Sequence, residues 1–181
     1  MTQPRLKFTV DDYITAPPDK RYQLLDGEMV VAPAPTDRHQ AIVVRLLVAL
    51  YQFIDPNGLG QVRVSPYDVF LSSHDVVQPD ILFVSQARSN IITQANVQGA
   101  PDLVVEVLSA TTAQYDRGYK QTLYGRSGVQ EYWLVDPDSQ TVEVLTSDGQ
   151  LLVPCATYRR GEALVSPLLQ GLAVELDTIF S

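Results

Sequence analysis

At residues 101–108 the chain reads PDLVVEVL, and at residues 78–84 it reads QPDILFV. Short aliphatic runs that are bounded by proline and polar residues are typical of buried β-strands. Each run also holds an acidic residue, Glu106 in the first and Asp80 in the second. A buried carboxylate is costly unless it is paired, hydrogen-bonded or bound to a cation. Two of them in consecutive strands suggest a shared partner, and a divalent metal ion is the first candidate.

The direction of strand pairing decides whether such a metal site can form. If the two strands are antiparallel, the start of the first lies beside the end of the second, and Asp80 neighbours Glu106. If they are parallel, Asp80 lies beside Asp102 instead. A metal site therefore requires antiparallel pairing, and its oxygen ligands favour Mg²⁺ or Mn²⁺ over Zn²⁺. The alternative is that Asp80 and Asp102 only end turns, as Pro-Asp pairs often do. That alternative leaves Glu106 unexplained.

The composition indicates an ordinary globular protein. A chain of 181 residues with 45% hydrophobic and 19% charged residues fits one domain, which we expect to span residues 1–181. No apolar run approaches the roughly 20 residues of a membrane span, and the N-terminus lacks the apolar core of a signal peptide. Cys155 is the one cysteine, so an internal disulfide or a thiolate zinc cluster is excluded within one chain. We expect a cytoplasmic protein with no membrane partner, and the sequence leaves self-association into a homo-oligomer open.

The net charge bears on the class of partner. The formal charge is −8 at pH 7, whereas proteins that bind nucleic acid usually present a basic surface. A nucleic-acid partner therefore requires a local basic patch.

Hydrophobic periodicity and turn signals predict an α+β arrangement. A capping pattern at Thr9 opens a short helix, and Asp26-Gly27 predicts a hairpin turn. We expect helices over about residues 41–54 and 115–126, a short helix near the end of 172–180, and strands within 60–71, 80–84, 103–108, 131–135, 141–145 and 151–158.

A cation near the two acids would complete phosphodiester chemistry, because it could orient the attacking water and stabilise developing charge on phosphorus. Lys120 follows Glu106 by 14 residues and lies in the helix after the acidic strand. The alternative is a solvated pair with Asp116, four residues earlier on the same helix.

Several motifs together resemble the Uma2 family, also called DUF820. They are YQLLDGE at 22–28, VQPDILFV at 77–84, APDLVVEVLS at 100–109, DRGYK at 116–120 and GVQEYWLVDP at 128–137. The resemblance runs from about residue 21 to residue 180. It implies membership of the PD-(D/E)XK nucleases and a restriction-endonuclease-like core, with a mixed, mainly antiparallel sheet flanked by helices. It also implies metal carboxylates at Asp80 and Glu106.

One position departs from the pattern of this superfamily. A lysine is expected two residues after the second acid, and here Leu108 occupies that position. An aliphatic side chain cannot position water or stabilise a phosphorane. In Uma2-like sequences the lysine lies on the following helix, which assigns the role to Lys120.

Three further residues are secondary candidates for assisting roles. Glu28 follows the predicted turn and would supply a third acid of the kind that many such nucleases carry near the N-terminus, or it is an exposed hairpin residue. His39 precedes the long helix and would assist near phosphate, or it only marks the helix end. Tyr124 would face the site, or it belongs to a core stripe of its helix.

The sequence thus favours a Mg²⁺-dependent (or Mn²⁺-dependent) endonuclease that hydrolyses phosphodiester bonds, with DNA favoured over RNA. Asp80 and Glu106 would hold the metal, and Lys120 would orient the attacking water. The alternative is a catalytically inactive nuclease-fold module that binds nucleic acid or a protein. Leu108 and the charge of −8 favour this alternative. The chain has no nucleophile-elbow, P-loop or Gly-x-Gly-x-x-Gly pattern, which argues against hydrolase-elbow, NTPase and dinucleotide-binding functions.

Overall fold

The N-terminal part of the chain forms a short helix and a hairpin, as the local signals predict. The computed structural model describes residues 6–17 and 20–181. Helix α1 (Val10–Ile14) begins with a capping box in which Thr9 and Asp12 bond to each other's backbone N–H. Strands β1 (Tyr22–Leu25) and β2 (Glu28–Val31) are antiparallel, and the turn residue Gly27 has φ of 73°.

Helix α2 (Asp37–Ile54) is the longest helix of the described chain. It begins at Thr36, whose hydroxyl accepts the backbone N–H of His39 at 3.3 Å. Its buried residues recur at helical spacing, so one face of α2 packs on the central sheet described below: Ile42, Val43, Leu46, Leu50 and Ile54. The apolar period at residues 41–54 that predicted this helix lies within it.

The remaining strands follow in chain order: β3 (Gly60–Val64), β4 (Asp68–Ser72), β5 (Asp75–Val77), β6 (Ile81–Ser85), β7 (Asn96–Gln98), β8 (Leu103–Val107), β9 (Glu131–Asp136), β10 (Thr141–Ser147), β11 (Leu152–Arg159), β12 (Ala163–Val165) and β13 (Ala173–Glu175). A 3₁₀ helix covers Gln86–Ile91, and α5 (Leu176–Ile179) lies near the C-terminal end of the chain. None of the helices in the described ranges is long and apolar enough to cross a membrane.

A second helical segment follows β8 and changes type along its length. It comprises α3 (Ala113–Tyr115), a π-helical turn (Asp116–Lys120) and α4 (Gln121–Ser127). It ends at Gly128, whose φ of 98° is left-handed, a conformation that glycine adopts readily. π-Helical turns occur frequently at functional sites.

The strands form a mixed, mainly antiparallel arrangement of sheets flanked by helices. The central sheet has the order β11-β10-β9-β8-β6-β3, in which β8 and β9 are parallel and the other neighbours antiparallel. A second sheet has the order β2-β1-β5-β4-β7, and β12 pairs with β13. One face of the central sheet packs on α2 and α5, and the other packs on the second sheet and α4. This architecture confirms the predicted α+β fold class.

The strand prediction was incomplete. The run at residues 60–71 is two strands, β3 and β4, which belong to different sheets because the chain leaves the central sheet after β3. The apolar C-terminal run contains strand β13 before its short helix. Strands β5 and β7 have three residues each, too few for a hydrophobic period to be recognised.

Asp75 at the start of β5 ties the second sheet to the helical segment. Its side chain is buried and accepts four hydrogen bonds, from the Asp26 backbone N–H (2.9 Å), the Ser72 hydroxyl (2.7 Å), the Tyr119 hydroxyl (2.5 Å) and Arg126 (3.2 Å). Burial by itself raises the pKa of Asp75, but these donors outweigh it and lower the pKa below its ordinary value. The Asp75 carboxylate therefore holds Tyr119, the residue next to Lys120, in place.

Candidate active site

Strand pairing brings the two acidic residues together. Strands β6 and β8 are antiparallel, with Ile81 opposite Val105, so Asp80 lies at the level of Glu106. This confirms the pairing direction that a metal site requires. The Asp80 side chain also reaches across to β8, where its Oδ2 accepts the backbone N–H of Val107 at 2.8 Å. The start of β6 is thereby fixed against the end of β8.

Glu106 is buried on the face of β8 that the helical segment covers. It is 4% exposed. Its Oε1 accepts hydrogen bonds from Nζ of Lys120 at 2.9 Å and from the hydroxyl of Tyr124 at 2.8 Å. Lys120 and Tyr124 are four residues apart, so both project from one face of the helical segment toward the same carboxylate. The alternative in which Tyr124 serves only a core stripe was incomplete, because its ring is buried in the core while its hydroxyl bonds to Glu106.

Lys120 lies between two carboxylates. Its Nζ is 2.9 Å from Oε1 of Glu106 and also 2.9 Å from Oδ1 of Asp116, and the whole residue is 3% exposed. The pairing with Asp116 therefore exists, but the interpretation of this pair as solvated was wrong. The π-helical turn spans both residues of the pair.

Burial and charge act in opposite directions on this cluster. Burial raises the pKa of Glu106 above its ordinary value, the Lys120 ammonium opposes this rise, and the negative charges of Asp116 and Asp80 add to it. Burial alone would lower the pKa of Lys120, but Glu106 and Asp116 outweigh it and raise the pKa above its ordinary value. Lys120 is therefore a protonated cation at neutral pH, held where negative charge would otherwise be unopposed.

His39 approaches Asp80 from helix α2, whereas Lys120 belongs to the helical segment after β8. It lies in the first turn of α2, and its Nε2 is 3.2 Å from Oδ2 of Asp80. Burial works against the charged form of the imidazole, but the hydrogen bond and charge of Asp80 outweigh it and raise the pKa of His39. Both side chains are mostly buried, at 14% and 15% exposed. His39 is thus part of the cluster and does not merely mark the helix end.

The cluster opens onto a cleft of about 570 Å³. His39, Asp80, Glu106 and Lys120 all contribute to its wall. The rim also carries three arginines, Arg21, Arg38 and Arg117. Arg38 bonds to Asp138 at 3.2 Å and to the carbonyl of Pro137, and Arg117 bonds to Glu143 at 2.6 Å. The lining also includes Asp136 and Asp138, so the cations of the cleft are matched by acidic side chains.

Two acidic residues considered from the sequence lie elsewhere. Glu28 is exposed in β2 and is not among the residues that line the cleft, which agrees with its interpretation as an exposed hairpin residue. Asp102 is buried, where its carboxylate accepts the Ser85 backbone N–H at 2.7 Å and bonds to Arg88 (2.8 Å) and Gln130 (2.7 Å). The Asp102 carboxylate is therefore engaged by donors at the end of β6 and just before β9.

Sequence reasoning missed three contributors. Asp116 was considered only as a surface partner of Lys120, because four-residue spacing brings the two side chains together but does not show how deeply the segment is buried. Arg21 and Arg38 gave no local signal, because only the tertiary fold places them at the cleft rim.

The oxygen donors of the cluster fit a hard divalent cation. The hydrogen bonds described above fall on Oδ2 of Asp80 and Oε1 of Glu106, which leaves Oδ1 and Oε2 outside these contacts. No group of three histidine, cysteine, aspartate or glutamate side chains converges within the described residues. Mg²⁺ is commonly held by one or two carboxylates together with water and substrate phosphate, so a pair of carboxylates suits it. A closed zinc site would need more protein ligands.

Comparison with known proteins places the chain among relatives of similar length. It is 27% identical over 167 residues to an uncharacterized protein of Synechocystis, a match that covers 89% of this chain and 84% of the relative. Its fold is similar to the crystal structure of a "putative nuclease belonging to DUF820" from Anabaena variabilis, with a TM-score of 0.79 and 20% identity, covering 96% of this chain and 97% of the other. The structural likeness supports the restriction-endonuclease-like fold. The family model Uma2, described as "Putative restriction endonuclease", matches residues 10–178. Because this match spans nearly the whole chain, the protein belongs to the Uma2 family.

Proposed function

We propose that the protein is a divalent-metal-dependent endonuclease that hydrolyses phosphodiester bonds of nucleic acid, with DNA favoured over RNA. The observation that carries the proposal is the buried contact of Lys120 with Glu106 at 2.9 Å, beside Asp80, which directly precedes the neighbouring strand β6, in the wall of a cleft. A cation and two acids in one cleft are the groups that this hydrolysis needs. Membership of the Uma2 family gives independent support for a nuclease.

Each residue of the cluster has a distinct role in the proposed reaction. Asp80 and Glu106 would hold Mg²⁺ or Mn²⁺, which when bound would acidify a coordinated water and neutralise phosphate charge. Water attacks phosphorus as one P–O bond forms and the bond to the leaving sugar oxygen breaks, which gives a phosphate monoester and a hydroxyl. Lys120 stays protonated and stabilises the negative charge that develops on the phosphate oxygens. Tyr124 and Asp116 hold Glu106 and Lys120 in position.

The arginines of the rim supply the contacts to flanking phosphates. Arg21, Arg38 and Arg117 line the cleft, and the guanidinium groups of the latter two are each oriented by an acidic partner. Guanidinium groups bind phosphate with paired hydrogen bonds. Their number is small, so we expect binding that is modest at physiological salt and weakens only gradually as salt is added.

A second candidate function is a nuclease-fold module that binds nucleic acid or protein without cleaving it. Leu108, 7% exposed, occupies the position two residues after the second acid where the superfamily carries lysine. In addition, the Lys120 charge is matched by two carboxylates rather than directed at the open cleft. Both observations favour binding without catalysis.

Cleavage assays distinguish the two functions. Wild-type protein is incubated with single-stranded and double-stranded DNA and RNA in Mg²⁺, Mn²⁺ or EDTA, beside Asp80→Asn, Glu106→Gln and the matched remote control Asp177→Asn. Asp177 has a side chain 65% exposed and pairs with Arg160. The endonuclease predicts cleavage that needs metal, is lost in the first two variants and is retained in the control. Binding of the same substrates without cleavage under any metal condition would support the inactive module.

A further inference from the structure

A second groove adjoins the candidate active site. It has a volume of about 460 Å³ and lies on the face of the second sheet that points away from the core between the sheets. Its walls combine aromatic, cationic and amide side chains, namely Tyr13, Tyr22, Phe70, Lys20, Arg21 and Gln78. The function proposed above uses none of the aromatic residues.

The aromatic wall is rigidly built. The rings of Tyr13 and Phe70 pack edge to face with centroids 6.4 Å apart. The Tyr13 hydroxyl donates to Oδ1 of Asp68 at 2.9 Å, and Nε2 of Gln78 donates to the same oxygen at 2.7 Å. Asp68, the one carboxylate among the described residues that line the groove, is therefore engaged by neutral donors, and the rings of Tyr13 and Phe70 are held in fixed orientations.

The groove is continuous with the catalytic cleft. Arg21 and Gln78 line both of them, and Arg21 also contacts Gln78, with its guanidinium 3.4 Å from the amide oxygen. Gln78 precedes Asp80 by two residues, a distance of at most about 7 Å along the chain. A polymer bound across Asp80 would thus pass Arg21 and reach the aromatic wall with its next unit.

The chemistry of the wall selects the kind of unit. Aromatic side chains next to a cation suit a flat base that is followed by a phosphate, because every nucleobase presents a face for stacking and every linkage presents a negative charge. A base that is stacked within a duplex cannot enter such a groove until it is unpaired. A peptide would use the apolar wall but would gain little from Arg21 unless it were acidic.

We propose that this groove binds an unpaired nucleobase of the substrate strand, next to the phosphate that is cleaved. Arg21 contacts the phosphate between the groove and the cleft, while Tyr22 and Phe70 form the stacking surface. The inference rests on the proposed function and specifies its substrate class as single-stranded or locally opened nucleic acid.

Binding measurements in EDTA, where cleavage is prevented, test the groove separately from catalysis. Fluorescence anisotropy compares wild-type protein with labelled single-stranded DNA, single-stranded RNA, the matching duplex, and a single strand in which abasic sugars replace the bases. We expect the normal single strands to bind about fivefold or more tightly than the duplex and the abasic strand, since stacking on aromatic residues contributes at least this much per base. Equal binding of normal and abasic strands, or tighter binding of the duplex, would overturn the proposal.

Three variants and two controls locate the effect. Tyr22→Val and Phe70→Val should bind normal strands no better than abasic ones, whereas Tyr51→Val, which changes an exposed aromatic residue on α2, should keep the difference. Arg21→Ala should weaken both kinds of strand and reduce the salt dependence, and Arg160→Ala should not. The comparison of strands on wild-type protein remains decisive if an aromatic variant does not fold.

The outcomes separate this inference from the proposed function. Base-dependent binding without cleavage in Mg²⁺ or Mn²⁺ would support the nucleobase-binding groove and contradict the endonuclease function. Metal-dependent cleavage by a protein that binds normal and abasic strands equally would support the endonuclease function and contradict nucleobase binding in the groove.

Discussion

Nζ of Lys120 lies 2.9 Å from Oε1 of Glu106, although the two residues are 14 positions apart and lie on a helix and a strand. The contact forms because the helical segment after β8 packs back over that strand and aligns Asp116, Lys120 and Tyr124 on one face. Lys120 therefore reaches Asp80 and Glu106 from the helical segment. Leu108, which occupies the usual lysine position of the superfamily, instead follows strand β8 directly. The lysine and the carboxylates are consequently fixed by different parts of the fold.

Divalent cation should stabilise the folded protein if Asp80 and Glu106 bind it, because a ligand that binds only the native state shifts unfolding by mass action. We expect the melting temperature to rise with millimolar Mg²⁺ or Mn²⁺ in wild type and to stay unchanged in Asp80→Asn. Thermal melts with and without metal measure this. An equal rise in the variant, or no rise in wild type, would remove the support for the site.

Lys120→Met should slow cleavage by about 10²–10³-fold, the cost typical of losing one electrostatic group. It should also lower the free energy of unfolding by about 3–5 kcal/mol, because it leaves Glu106 and Asp116 buried without their cation. Cleavage is therefore measured at a temperature at which melting curves show the variant to be folded. Lys7→Met, at an exposed pair with Asp26, is the matched control and should change neither quantity appreciably. A folded Lys120→Met protein with the wild-type rate would exclude the assigned role.

Tyr124→Phe should distinguish two roles of Tyr124, namely orientation of Glu106 by its hydroxyl and packing of its ring in the core. It removes the hydroxyl that donates to Oε1 of Glu106 and keeps the ring, so we expect a loss of about 1 kcal/mol in stability. Metal affinity should fall about 10- to 100-fold, as for other residues that orient a ligand. Tyr132→Phe is the matched control, because this buried tyrosine contacts the Tyr124 ring but donates to the backbone carbonyl of Asp116. Metal titrations of both variants that give the same affinity would contradict the prediction.

Asp75 should make stability depend on acid pH. Its pKa is lowered in the folded state, so its contribution is present above its ordinary pKa of 3.8 and is lost as pH falls through the lower folded value. Asp75→Asn should therefore lower the free energy of unfolding by about 1–3 kcal/mol at neutral pH, and the difference from wild type should shrink below about pH 4. Denaturant unfolding across pH 3–7 measures this, with exposed Asp177→Asn as a control that changes stability by less than about 0.5 kcal/mol. A difference that is constant across this range would show that the carboxylate charge is not involved.

The sequence predicted those elements whose signals are local. The capping box at Thr9, the hairpin at Asp26-Gly27 and the apolar period of α2 each occupy one short segment, and all three form as expected. Strands β6 and β8 were recognised because their aliphatic runs are buried on both faces. The three-residue strands β5 and β7 are too short to show a hydrophobic period, and β7 pairs with β4, which is distant in sequence, so no local pattern marks them.

The candidate site divides in the same way. Asp80 and Glu106 stood out because a carboxylate is unusual in a buried strand. Lys120 was a candidate cation from its place on the helix after Glu106, and resemblance to a family then assigned it the role of the missing lysine. The depth of Lys120, the second carboxylate at Asp116 and the hydroxyl of Tyr124 depend on how the helical segment packs, which spacing alone leaves open. Arg38 reaches the rim from the first turn of α2 and was likewise beyond local inference.

Lys120 supplies Glu106 with a positive charge that is part of the chain itself. The acidic strand therefore does not depend on a bound ion for a counter-charge, unlike small domains that unfold when their structural metal is removed. We expect chelator-treated protein to remain folded and to accept metal again on its return. In the proposed enzyme, the divalent ion would be an exchangeable cofactor that binds from solution together with the substrate phosphate.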